Sequence, residues 1–302
     1  MIIPSFLNKG DKIAIIATAR AVDRELVEYA IDIINSWGLK VITGNHLYER
    51  NFRFGGTDDQ RIADLQWAIS NTEIKAVFCV RGGYGTTRII DNIDLKPLFK
   101  HPKWILGFSD VTTLLLGLER IGVASIHSPM PALFKSKTDS KAVNSVKDFL
   151  MTKTDYVISW KTTSLCSDAN CTGSLVGGNL SMIANNIGTE TFPLSFKNKV
   201  LFIEEVGEDL YKIDRYMVQL KRAGVLRELS GLIVGSITDI PYDEEPFGLE
   251  VNEIIESHIK EYNYPVYYGA PFGHCMENYP VPVGMQADIS VENGKTFLSI
   301  RK

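Results

Sequence analysis

Gly107-Phe108-Ser109-Asp110 places a serine between an apolar run at 104–106 and a stretch of helical periodicity at 111–120. A hydroxyl at such a strand-to-helix turn lies beside backbone N–H groups that favour developing negative charge. That is the layout of a serine nucleophile, although Val111 stands where a G-x-S-x-G elbow has its second glycine. A serine ahead of a helix also serves simply as an N-cap. The loop Arg81-Gly82-Gly83-Tyr84-Gly85 offers unhindered N–H groups suited to an oxyanion or a phosphate. It reads equally well as a tight turn. No Lys-Ser/Thr pair follows the glycines, which excludes a P-loop, and their spacing is not G-x-G-x-x-G.

A serine needs a base, and the chain has five histidines: His46, His101, His127, His258 and His274. His258 falls on a surface helix and His101 beside Pro102, so both are expected to be solvated. His127 ends an apolar run, as a pocket-lining or a structural residue. His274 lies in the loop 271–278, where a hydrogen-bonded loop histidine is the competing reading. Glu204 and Glu205 end an apolar strand, and pleat alternation points at most one of them inward. An inward carboxylate there could orient an imidazole, and a solvated strand end is the alternative. No H-E-x-x-H or other metal-ligand spacing occurs, so neither a metal nor a cofactor is expected.

The elements that must carry these groups alternate regularly in the first half. Residues 12–16, 40–42, 76–80, 104–106 and 123–126 read as strands; 23–37, 58–69, 86–90 and 111–120 read as helices. A βαβα rhythm implies a parallel sheet covered by helices. Thr18, the Gly82-Gly83 pair, Ser109 and His127 then fall just past the carboxyl ends of successive strands, the edge where open parallel sheets bind ligands. After about Leu150 the pattern changes. Residues 153–170 are rich in Ser, Thr, Lys and Asp, a linker or edge strand. Beyond them 200–203 and 232–237 read as strands, and 209–223 and 249–262 as helices. Asn293-Gly294, flanked by alternating residues, is a hairpin signal. The expected organisation is a nucleophile domain over 1–150, a linker region over 151–170 and a β-rich mixed domain over 171–302.

A chain of 302 residues suits two domains and buries about three quarters of its unfolded surface. With 32 Lys+Arg against 36 Asp+Glu, it has no basic excess for nucleic acid. No apolar run is long enough to span a membrane. The first residues lack the features of a signal peptide, so a cytoplasmic location is expected. Of the four cysteines, Cys166 and Cys171 are close enough to bridge, but reduced thiols are expected throughout.

Taken together, the segments resemble the LD-carboxypeptidases, the serine peptidases that include muramoyl-tetrapeptide carboxypeptidase and the microcin C self-immunity peptidases. The likeness runs through residues 10–16, 56–65, 81–85, 105–114, 177–180, 201–205 with 211–215, 273–274 and 282–284. It implies an α/β chain with a flavodoxin-like first domain and a β-rich second domain. It also implies a triad of Ser109, Glu204 and His274, and an oxyanion hole from the N–H groups of Gly83 and Asp110. The implied activity is removal of the terminal D-alanine from murein tetrapeptides in cell-wall recycling, by a homodimer. Cleavage of a peptidyl-nucleotide keeps the same triad and calls for an aromatic stacking residue; a non-catalytic muropeptide-binding protein is a third reading. Ala17-Thr18-Ala19-Arg20 departs from the family, whose first strand often ends in Pro-Ser. Glu204-Glu205 replaces the Glu-Asp of many relatives.

Overall fold

The computed structural model describes residues 1–163, 167–242 and 244–301. The first half runs β1 (Lys12–Ile16), α1 (Arg24–Ser36), β2 (Lys40–Thr43), α2 (Asp58–Ser70), β3 (Ile74–Cys79), α3 (Thr86–Ile89), α4 (Pro97–Lys100), β4 (Trp104–Gly107), α5 (Thr112–Arg120), β5 (Ser125–His127) and α6 (Ser140–Met151). The second half runs β6 (Tyr156–Lys161), β7 (Cys171–Asn179), α7 (Leu180–Asn186), β8 (Lys199–Val206), α8 (Leu210–Arg222), β9 (Gly231–Thr238), α9 (Val251–Ile259), β10 (Val266–Tyr268), β11 (Val281–Val283), β12 (Gln286–Glu292) and β13 (Lys295–Ile300).

Two sheets organise these elements in a two-domain α/β architecture. The first has the order β11-β5-β4-β3-β1-β2, with β1 to β5 parallel. Strands buried on both faces read as unbroken apolar runs, as in Ile13-Ala14-Ile15-Ile16, all fully buried. Helix α1 turns Val27, Ala30 and Ile34 into that core, and Gly38 at φ +88° takes the left-handed position that ends the helix. The edge beside β5 is closed by β11, an antiparallel strand that returns from the second half of the chain. An apolar Val-Pro-Val segment covers what would otherwise be an open edge.

The second sheet, β10-β9-β8-β7-β12-β13-β6, is mixed. Its β7 to β10 half is parallel with helices between the strands, built like the first sheet, and its other half is antiparallel. The polar stretch after Leu150 contains β6, an edge strand on β13. Between β12 and β13, Glu292 pairs with Lys295, leaving Asn293 at φ 50° and Gly294 at φ 73°, the left-handed pair of a two-residue turn. Among the described residues Cys79, Cys171 and Cys275 are free thiols, and Cys166 lies outside them. No helix among the described residues is long and apolar enough to cross a membrane.

Helix α5 joins the two halves. Its Leu116 packs with Val176, Leu180 and Ile183 of the second core. Thr112 Oγ1 accepts from Asn179 N at 3.1 Å, Thr113 Oγ1 accepts from Asn186 Nδ2 at 2.9 Å, and Glu119 is paired with Lys199. Gly178 permits this approach, since a Cβ there would lie 2.5 Å from Thr112 Oγ1. The helix that begins just after Ser109 is therefore held from both domains.

Candidate active site

Ser109 sits at φ +61°, in the left-handed region that a side chain normally avoids. Such a conformation costs about 1–2 kcal/mol and persists where the surroundings impose it. Here Gly107 ends β4, Val111 N closes the turn on Phe108 O at 3.2 Å, and α5 follows directly. A Cβ on Gly107 would lie 2.8 Å from Val111 Cγ1, so the tightness of the turn depends on that glycine.

The glycine loop is bound to this turn. The buried Asp110 carboxylate accepts from Thr86 N at 2.8 Å and Gly85 N at 3.3 Å. Burial raises its carboxyl above the ordinary range despite those amides. From α2 the buried Arg61 donates Nη1 to Thr18 O at 2.7 Å and to Gly85 O at 2.9 Å, and it is paired with Asp58. The loop backbone consequently rests on the nucleophile candidate: a Cβ at Gly82 would lie 3.1 Å from Ser109 Cβ and 3.3 Å from its Oγ. Gly83 follows at φ +111°.

The second domain supplies a paired imidazole and carboxylate. His274 Nδ1 and Glu204 Oε2 are 2.7 Å apart, and Glu204 is completely buried. Gly273, at φ +106°, allows this, because a Cβ there would lie 2.7 Å from Glu204 Cβ. Its N–H donates to Asn278 Oδ1 at 2.9 Å, which shapes the loop. Burial opposes charge on both groups, yet their mutual attraction prevails. His274 is held above the ordinary histidine value and Glu204 below the carboxylate range.

The structure joins Glu204 to His274 and rests the glycine loop on Ser109, and Phe108 links the two groups. The ring of Phe108, immediately before Ser109, lies 4.8 Å from the His274 ring. Among the described residues no hydrogen bond joins Ser109 to His274, and only Nδ1 of the imidazole is engaged. A cavity of about 380 Å³ opens beside His274, lined by Phe108, Lys137, Asp239, Cys275 and Met276 among others.

Two expectations are corrected. Glu205 does not point to solvent: both carboxylates are buried, because protein covers both faces of β8. Glu205 instead accepts from Asn179 Nδ2 and from the Ser181 amide of α7, each at 2.7 Å. His258 is not solvated but bonded through Nε2 to Asp214 Oδ1 at 2.7 Å, since α9 packs on α8. Of the two readings of His127 the structure favours the structural one: it is fully buried among the rings of Phe108, Phe202 and Phe272, and burial pushes it down to about 4. His101 is exposed, as expected. The positioning roles of the Asp110 carboxylate and of Arg61 escape a reading of the sequence. The available signal for Arg61 is its i, i+4 spacing to the inward Leu65, which puts it on the core face of α2.

Residues 13–128 match the family model of the LD-carboxypeptidase N-terminal domain, and residues 172–289 that of the C-terminal domain. The chain is 33% identical over 289 residues to the probable murein peptide carboxypeptidase of Bacillus subtilis, covering 94% of this chain and 90% of that protein. The chain belongs to the LD-carboxypeptidase family. Another relative in this family is the murein tetrapeptide carboxypeptidase of Pseudomonas aeruginosa, 29% identical over 286 residues, with 91% and 92% of the two chains covered. Among solved structures, the muramoyltetrapeptide carboxypeptidase of Oxalobacter formigenes superposes with a TM-score of 0.87 at 29% identity, over 96% of this chain and 99% of that one. The microcin C7 self immunity protein MccF shares the fold, with a TM-score of 0.88 at 19% identity over 100% and 99% of the chains.

Proposed function

We propose that this LD-carboxypeptidase family member is a serine hydrolase that releases the terminal D-alanine of murein tetrapeptides in cytoplasmic cell-wall recycling. The observation that supports the reading is the Glu204–His274 pair, whose imidazole lies 4.8 Å from the ring of Phe108, the residue before a serine held in a strained strand-to-helix turn. Ser109 Oγ attacks the carbonyl that joins an L-configured centre to D-alanine, and His274 Nε2 takes its proton. The proton then passes to the departing amine, which leaves an acyl-enzyme for water to hydrolyse. Glu204 holds the proton on Nδ1 and stabilises the imidazolium, consistent with the raised His274 and lowered Glu204 titrations. The N–H groups of Gly83 and Asp110 hold the oxyanion, each donor being worth about 3–4 kcal/mol in comparable sites. The Ser109–His274 hydrogen bond forms as substrate fills the cleft, since such contacts are often long in unliganded enzymes.

In this reading the first domain, 1–150, supplies the nucleophile on a flavodoxin-like sheet, for which the β2-β1-β3-β4-β5 order speaks. The β-rich second domain, 171–302, supplies the acid and base. The test is mass spectrometry of a murein tetrapeptide incubated with wild type and with Ser109→Ala. Release by wild type alone supports the proposal, and equal release by the variant refutes it. The MccF-like fold makes an aminoacyl-nucleotide the proper second substrate in the same assay; preference for it would move the reading to the immunity branch.

A further inference from the structure

The loop that departs from the family pattern carries a cation with no partner. Arg20 is anchored by its backbone: Arg20 N donates to Gly82 O at 3.4 Å, Gly55 N to Ala19 O at 3.0 Å, and Ala21 N to Arg53 O at 3.0 Å. Its side chain runs over the glycine loop, because a Cβ at Gly83 would lie only 2.1 Å from Arg20 Cδ. Four neighbouring cations are committed elsewhere. Arg61 is buried on Thr18 O, Gly85 O and Asp58; Arg88 is paired with Asp58; Arg50 is paired with Asp23; and Arg81 donates to Ala21 O. Among the described residues no carboxylate pairs with Arg20, so an unneutralised guanidinium lies along Gly83, one residue from the backbone that touches Ser109.

The geometry of a peptide bond says what such a charge would meet. In a planar trans amide the carbonyl oxygen and the Cα of the leaving residue lie on the same edge, about 3 Å apart. If the Gly83 amide receives the scissile carbonyl oxygen, the terminal carboxylate on that Cα must therefore lie on the Gly83 side. Lys137, another cation with no ion pair among the described residues, lines the cavity beside His274 and so flanks the base instead. We propose that Arg20 binds the terminal carboxylate of the substrate and makes the enzyme an exopeptidase. This rests on the hydrolase reading and deepens it. A guanidinium suits the task because its fork matches both carboxylate oxygens, and the loop that presents it is already fixed.

The experiment compares kcat/KM for a tetrapeptide ending in free D-alanine with that for the same peptide ending in D-alaninamide. Wild type should prefer the acid by about 100-fold, the order expected when a buried charge-assisted contact is lost. Arg20→Ala should reduce the acid to the level of the amide, chiefly through KM, so that the variant no longer distinguishes the two peptides; its thermal unfolding midpoint, compared with wild type, reports that the variant is folded. Arg20→Lys should recover about a tenth of the wild-type preference, since it keeps the charge but loses the fork. An undiminished acid preference in Arg20→Ala, or its disappearance in Lys137→Ala instead, would overturn the assignment alone. A wild type that cleaves neither peptide would overturn the hydrolase reading and this inference with it.

Discussion

Glu204→Gln tests the pairing on which the site depends. The glutamine keeps the shape of a side chain that is fully buried and hemmed in by the Gly273 backbone, so the packing of the cleft should survive. What disappears is a negative charge 2.7 Å from His274 Nδ1. Breaking a buried pair costs about 3–5 kcal/mol. If that cost falls on the imidazolium-bearing transition state, kcat/KM should drop by roughly two to four powers of ten at one decade per 1.36 kcal/mol. The pH profile gives an independent readout. Neutral His274 is the active base, so wild-type kcat/KM should fall with acidity through an inflection above the ordinary histidine value of 6.5. Without the carboxylate that inflection should move to lower pH, even as the plateau drops. The assay is D-alanine release followed from pH 5 to pH 9. An inflection that stays put, or a plateau within threefold of wild type, would refute the reasoning. Stability should follow the same linkage. The contribution of His274 is present below 6.5 and lost as pH rises through its raised value. That of Glu204 is present above 4.5 and lost as pH falls through its lowered value. The variant should lose both dependences in urea titrations.

Ser109→Gly should abolish turnover while stabilising the protein by about 1 kcal/mol in urea unfolding, because glycine relieves the φ +61° strain. Gly273→Ala should lower kcat/KM about 100-fold with little change in KM, since its Cβ would push Glu204 and His274 apart; wild-type kcat in purified variant would count against the geometry. His127 titrates near 4 when folded and near 6.5 when unfolded, so the unfolded chain binds the extra proton between those values. Wild type should therefore lose stability, roughly 3 kcal/mol in all, as pH falls from 6.5 to 4. His127→Phe should lose less over that range, and an identical acid slope would show that His127 is not the group responsible.

Much of the scaffold is a local property of the chain and can be read from it. The unbroken apolar runs at β1 and β3, the core stripe of α1 and the Asn293-Gly294 turn depend on residues a few positions apart. The same holds for the candidates at the strand ends, since a serine or glycine pair directly after a strand has to fall at the sheet edge. What the local pattern could not contain is which distant groups meet. His274 and Glu204 are 70 positions apart, and their contact exists because Gly273 lets one loop close on β8. Pleat alternation alone would leave one of Glu204 and Glu205 facing outward, but tertiary packing makes both interior. The strained backbone of Ser109 and the return of β11 to the first sheet have the same origin, as does the burial of Arg61 beneath the glycine loop. Periodicity is fixed by neighbours along the chain, whereas burial and charge pairing are fixed by neighbours in space.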